Sequence, residues 1–168
     1  MKTARVYVAI GSNLGDRAAH IGKACEDISA LAGCRDFRCS SIYETDPMGP
    51  QNQPDYLNAV CEFYYSGTAF DLLELLQAIE KAHGREQVSE RWTARPLDLD
   101  IVLFGDLQIR EPQLTVPHAG LANRSFVLWP LEELDPSLLI PGLGAVTELI
   151  AHCEHLGIRP FDRSAKRI

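Results

Sequence analysis

Arg91-Trp92-Thr93-Ala94-Arg95-Pro96-Leu97-Asp98-Leu99-Asp100-Ile101-Val102-Leu103-Phe104 changes character halfway along. Up to Pro96 there is no apolar period. From Leu97 onward the residues alternate as a β-strand does, placing Leu97, Leu99, Ile101 and Leu103 on one side and Asp98 with Asp100 on the other. At about 3.3 Å rise per residue the two aspartates stand roughly 6–7 Å apart along the strand. Two like charges in an otherwise apolar run call for a compensating cation. Mg²⁺ suits them, because it takes one or two protein carboxylates and completes its octahedron with water and phosphate oxygens. Arg91 and Arg95, just upstream, carry permanent charges that match phosphate geometry. The plainer reading is an exposed strand face whose aspartates pair with neighbouring arginines.

Working outward, Thr68 to His83 has a clear helical period, with Leu72, Leu75, Leu76 and Ile79 as the buried stripe, Thr68 as N-cap and Gly84 as terminator. Gln77 and Glu80 lie three apart on another face. Before that helix, Tyr56 to Tyr65 alternates, with Leu57, Ala59, Cys61 and Phe63 opposite Tyr56, Asn58 and Val60. A further strand is expected over Arg35–Tyr43. Between the two, Glu44 to Asp55 holds Pro47, Pro50, Pro54 and Gly49, which exclude helix and central strand. At the start, Arg5 to Ile10 alternates and ends in Gly11-Ser12-Asn13-Leu14-Gly15-Asp16. That turn lacks the Gly-Lys-Ser/Thr ending of a P-loop. A helix with Ile21, Ala24, Cys25, Ile28, Leu31 and Ala32 on one face follows, stopped by Gly33.

Strand, helix, strand, strand, helix, strand is the split βαβ order of a ferredoxin-like α+β plait, an antiparallel sheet with both helices on one face. The rest reads as C-terminal additions: a strand or arm around Leu107–Arg110, the segment Leu114–His118, a helical piece with Phe126, Leu128, Trp129 and Leu131, and a last helix with Val146, Leu149, Ile150 and Cys153. No linker or repeat divides residues 1–168, so one domain is expected.

Composition narrows the function. Hydrophobic residues make up 46% and charged ones 23%, the proportions of a globular protein. A net charge of −7 speaks against a nonspecific nucleic-acid binder. No apolar run approaches membrane-spanning length and no secretory signal pattern is present, so a cytoplasmic protein without membrane contact is expected. Five cysteines without a Cys-x-x-Cys pair suggest neither a disulfide framework nor a zinc site, and most are expected in the core. His118, with Arg124 six residues on and just after the acidic strand, is a candidate for polyphosphate contact. Trp92 in a polar stretch suggests a closing lid.

Four stretches carry a resemblance: Ala9–Asp16; Pro47-Met48-Gly49-Pro50-Gln51-Asn52-Gln53-Pro54-Asp55-Tyr56-Leu57-Asn58-Ala59-Val60; Arg91-Trp92 with Arg95–Ile101; and Leu114-Thr115-Val116-Pro117-His118 with Asn123-Arg124-Ser125-Phe126. In this order they resemble the 6-hydroxymethyl-7,8-dihydropterin pyrophosphokinase family of folate biosynthesis. The resemblance implies transfer of the β,γ-pyrophosphoryl group of ATP to the pterin hydroxymethyl group. It implies Asp98 and Asp100 as ligands of two Mg²⁺ ions, and Arg85, Arg95 and Trp92 beside them in catalysis. Gln77, Glu80, Arg91, Arg95, Ile101, Thr115, His118 and Arg124 match positions around ATP. Thr45, Pro47, Met48, Tyr56, Asn58, Trp92 and Phe126 match the pterin pocket, where Tyr56 and Phe126 would stack on the flat heterocycle. Gln87 and Ala119 stand where some members have arginine and tyrosine. The expected partners are these small molecules only, with a monomer as the default. Two rivals use the same residues: a phosphohydrolase with water as acceptor, and a nucleotide- or RNA-binding module on the same plait.

Overall fold

The computed structural model describes residues 3–46, 55–84, 96–154 and 157–161. In chain order the elements are β1 (Ala4–Ser12), α1 (Arg17–Ser29), β2 (Cys34–Cys39), β3 (Tyr43–Thr45), β4 (Tyr56–Tyr65), α2 (Ala69–Ala82), β5 (Asp98–Phe104), β6 (Ile109–Arg110), β7 (Thr115–Val116), α3 (Ser125–Leu134), β8 (Leu139–Ile140), β9 (Gly144–Ala145), α4 (Val146–His152) and β10 (Arg159–Pro160), with a 3-10 turn at Leu121–Asn123. The main sheet runs β10-β3-β4-β1-β5, antiparallel at every pair, and β2 pairs the far half of β4. This is the expected ferredoxin-like α+β sheet. Two hairpins, β6–β7 and β8–β9, stand apart from it.

α1 and α2 cover one face, as expected. Ile21, Ala24 and Ile28 of α1, with Leu72, Leu76 and Ile79 of α2, pack on Val6, Val8, Ile10, Leu57, Ala59, Cys61 and Phe63. Thr68 and Asp71 form a reciprocal capping box at the start of α2. Leu75, expected in the stripe, is 36% exposed. Leu31 and Ala32 fall past the end of α1, which caps at Ala30.

The segments read as additions form a complete second layer. Val127, Leu128, Leu131 and Leu134 of α3, with Val146 of α4, pack on Tyr7, Val60, Val102 and Leu103. Fully burying Leu128 and Leu131 contributes about 1.5–3 kcal/mol each. β4 is consequently buried on both faces. Glu62 in its middle anchors the layer. Its carboxylate accepts from Tyr7 Oη at 2.6 Å, Arg5 Nη2 at 2.7 Å and Arg38 Nη2 at 2.9 Å. Arg38 also donates to Leu134 O, and Arg5 to Asp135, at the end of α3.

Four expectations need correction. The single strand over Arg35–Tyr43 is two, because Ser40 interrupts the ladder: its own Oγ, in place of a carbonyl, accepts from Val60 N at 3.0 Å. β1 does not stop at Ile10 but continues through Gly11 and Ser12. Leu103 does not share a face with Leu97, Leu99 and Ile101. Tyr7 pairs with Leu103 and Val8 with Ile101, leaving Val102 as an extra residue, and a bulge of one residue reverses the alternation beyond it. Phe104 therefore joins the first core and Leu103 the second. Only Cys61 and Cys153 are buried; Cys25 and Cys34 are half-buried and Cys39 is exposed.

Candidate active site

Partners across an antiparallel ladder share a face. Ala9 pairs with both Asp100 and Val60, and Ala9 and Val60 belong to the core under α3. Asp100 therefore points to the α3 side, and Asp98, two residues along, goes with it. Gly11 pairs with Asp98 on one side and Asn58 on the other. Asp98, Gly11 and Asn58 thus form a row across three strands. With about 4.8 Å between strands, the two outer backbones lie roughly 10 Å apart. Gly11, half-buried, puts no side chain between them.

At the β4 end, Asn58 Nδ2 donates to Thr45 Oγ1 at 2.8 Å, and both residues are buried. Tyr56 lies on the same face as Asn58 and pairs with Thr45. Phe126 packs partly into the α3 core, with the Arg124 guanidinium carbon 5.7 Å from its ring centre. At the β5 end, a cleft is lined by Ala9, Asp100, Val102, His118, Leu121, Arg124 and Val127. His118 Nε2 is 4.0 Å from Asp100 Oδ2, while its Nδ1 accepts from Gly120 N at 3.2 Å. A neutral ring in that setting carries its proton on Nε2, aimed toward the aspartates. Burial, and after it Arg124, hold the ring below its ordinary 6.5 against the opposing pull of Asp98. Gly120 has room for Arg124 because it lacks a Cβ, which would stand 2.8 Å from Arg124 Nε.

The nucleotide candidates separate. Glu80 is buried under the opposite face, its Oε2 accepting from Leu99 N at 2.8 Å, so it fixes the strand between the two aspartates. Ile101 is in the first core, which leaves its backbone rather than its side chain to meet a ligand. Gln77 and Thr115 are exposed. Ala119 follows His118 directly, in the turn before the 3-10 segment. Pro47, Met48, Arg85, Gln87, Arg91, Trp92 and Arg95 lie outside the described residues.

Asp98 and Asp100 suit Mg²⁺, offering hard oxygens on one half-buried face. Among the described residues there is no group of three or more His, Cys, Asp or Glu that could hold a metal ion. Sequence reasoning passed over Gly11 and Gly120. A glycine inside a strand pattern signals close backbone approach and could have pointed to Gly11. Glu80's bond to β5 had no local signal.

The sequence model of 7,8-dihydro-6-hydroxymethylpterin-pyrophosphokinase (HPPK) matches residues 7–136. The chain is 42% identical over 154 residues to a 2-amino-4-hydroxy-6-hydroxymethyldihydropteridine pyrophosphokinase of Pseudomonas aeruginosa, covering 92% of this chain and 94% of that one. It is 41% identical over 144 residues to the protein so named in Haemophilus influenzae, covering 86% and 89%. Among solved structures, the Plasmodium falciparum HPPK-DHPS A437G protein with SDX-DHP superposes with a TM-score of 0.69 at 14% identity. That match covers 90% of this chain and 45% of the larger one, and it supports the fold alone. No helix among the described residues is long and apolar enough to cross a membrane.

Proposed function

The chain belongs to the 7,8-dihydro-6-hydroxymethylpterin-pyrophosphokinase family, and from that premise we propose how its own residues divide the work. The reaction moves the β,γ-pyrophosphoryl group of ATP onto the hydroxymethyl oxygen of 6-hydroxymethyl-7,8-dihydropterin, releasing AMP and the pterin diphosphate in folate synthesis. The observation that supports this division is the row Asp98–Gly11–Asn58. A ligand lying on Gly11 has the aspartates at one end and the Thr45–Asn58 pair at the other.

The pterin ring lies over Gly11, between Tyr56 and Phe126, and Asn58 reads its polar edge. Its hydroxymethyl arm then points along the row toward Asp98. Asp98 and Asp100 would hold two Mg²⁺ ions, which would supply charge neutralisation for an in-line displacement. His118, neutral and with Nε2–H turned toward the aspartates, donates to a phosphate oxygen, and Arg124 adds a permanent charge. Arg85, Arg91 and Arg95 complete the phosphate contacts. Trp92 closes over both substrates, since ATP must be shielded from water if the pterin is to be the acceptor. Gln77, Thr115 and the backbone of Ile101 contact the nucleotide, with Glu80 holding β5 beneath it. The protein acts on these small molecules as a cytoplasmic monomer without nucleic-acid or membrane partners.

Incubation with Mg-ATP, with and without the pterin, followed by nucleotide separation, tests the reading. AMP that appears only with pterin, matched by pterin diphosphate, supports it. ADP and free phosphate in both tubes would instead indicate a phosphohydrolase, and unchanged ATP a binding module.

A further inference from the structure

Residues 157–161 lie beyond the stretch matched by the family's sequence model, which ends at residue 136. They form an added edge to the sheet: Arg159 pairs with Glu44, Pro160 with Tyr43, and Phe161 N donates to Ile42 O at 2.9 Å. The side chain of Arg159 does more than extend the edge. Its Nη2 reaches Asp55 Oδ2 at 2.6 Å, its Nη1 reaches Asp46 Oδ1 at 3.3 Å, and its Nε stands 3.6 Å from Glu44 Oε1. The same Nη1 donates to Gly157 O at 2.7 Å, which orients the guanidinium. Arg17, from α1, ties the same region: Nη1 reaches Glu44 Oε2 at 3.0 Å and donates to Asp55 O at 2.8 Å. Gly157, at φ +60°, lies so close to the Asp46 carboxylate that a Cβ there would collide with it.

Asp46 and Asp55 directly follow and precede the pocket residues Thr45 and Tyr56. We infer that Arg159 is a positioning residue for the pterin: by bridging Asp46 and Asp55 it fixes the backbone that sets Thr45, Tyr56 and, through the Thr45–Asn58 bond, Asn58. This rests on the reading of those three residues as the pterin pocket. β3 has three residues, so only a short ladder holds Thr45 to β4, and nothing in that ladder fixes Asp46 relative to Asp55. A planar guanidinium with donors on several nitrogens bridges two carboxylates at a set spacing; a lysine ammonium, a point charge, does not. Without Arg159, Glu44, Asp46 and Asp55 would face one another with Arg17 as their remaining cation from this clamp. Among the described residues, the bonds of Arg159 and Arg17 go to Glu44, Asp46, Asp55 and Gly157 and none to β5 or the segment from His118 to Arg124, so the effect is expected at the pterin end.

Steady-state kinetics on the full chain test this with Arg159→Ala, Arg159→Lys and Asn58→Ala. Arg159→Ala is expected to raise the pterin KM about tenfold or more, as a displacement of under 1 Å can do, while the ATP KM stays within about twofold. Arg159→Lys, which keeps the charge but not the bridge, should retain most of that rise, and full recovery by lysine would overturn the bridge. A pterin KM unchanged in Arg159→Ala but raised in Asn58→Ala overturns the clamp and leaves the pocket standing. Equal rises in both KM values also overturn it, since they indicate general loosening. An Asn58→Ala enzyme with unchanged pterin KM removes the pocket reading itself. If Arg159→Ala does not fold, Asp46→Ala unhooks one attachment and leaves Asp55 bound; a pterin-only KM rise there supports the clamp, and no rise refutes it.

Discussion

Replacing Gly11 by alanine separates the site's geometry from the fold's stability. A Cβ built on Gly11 would stand 3.4 Å from Asn58 Oδ1, 3.9 Å from Leu57 O and 4.0 Å from Tyr56 Cδ1. None of these is a collision. Glycine in a strand interior costs roughly 0.5–1 kcal/mol relative to alanine. The variant should therefore fold as well as the parent or slightly better, with Tm unchanged or raised by about 1–4 °C. Function should move the other way. The new methyl stands on the floor between Asp98 and Asn58 and lifts a ring lying there by about 1.5 Å, the length of a C–C bond. A 1 Å misplacement can cost on the order of 10²-fold, so kcat/KM for the pterin should fall by that factor, about 2.7 kcal/mol of transition-state stabilisation. The assay is AMP release at saturating ATP with pterin varied, beside a thermal melt on the same preparation. A variant with intact Tm and kcat/KM within about threefold of the parent would refute the placement of the pterin over Gly11.

Asp98→Ala and Asp100→Ala should each lower turnover by about 10²-fold or more while pterin affinity, read by equilibrium titration, changes little; parental turnover in both would sink the metal assignment. Gly120→Ala puts a methyl 2.8 Å from Arg124 Nε, so the guanidinium must shift and the ATP KM should rise several-fold with the pterin KM held; no change in either refutes the phosphate role of Arg124. Glu62→Gln should destabilise the chain by about 1–3 kcal/mol, less than the breaking of a fully buried pair because Arg5 and Arg38 are partly solvated, and lower Tm by about 2–12 °C. Burial raises the Glu62 pKa, but bonds from Tyr7, Arg38 and Arg5 outweigh it and hold it below 4.5. The unfolded chain thus binds the proton more readily, so this contribution is complete above pH 4.5 and fades as pH falls through the folded value. Urea melts should show a shallower acid limb for Glu62→Gln; parallel limbs would contradict this.

The ferredoxin-like order was legible because each element carried a local signature: the α2 period with Thr68 before it, the alternation in β4, the paired aspartates in β5. The two aspartates themselves were legible for the same reason, since residues two apart on a strand share a face whatever the rest of the chain does. Local patterns reported less well on anything set by partners distant in sequence. Ser40 reads as one more alternating residue, and only its bond to Val60 shows it ending a strand. The Val102 bulge leaves no mark in an apolar run, yet it sends Leu103 and Phe104 to opposite cores.

By itself the sequence determined which groups are on offer: paired carboxylates, arginines and His118, aromatics and Asn58. Residue type and short-range period suffice for that. Where those groups meet was decided by tertiary structure alone. The register of β1 against β4 and β5 sets Asp98, Gly11 and Asn58 in one row, the second helical layer brings Arg124 and His118 into one cleft with Asp100, and a strand near the C-terminus reaches Asp55 from 104 residues away. Register and layer packing are summed over many weak contacts between distant segments, and no single stretch of the chain encodes such a sum.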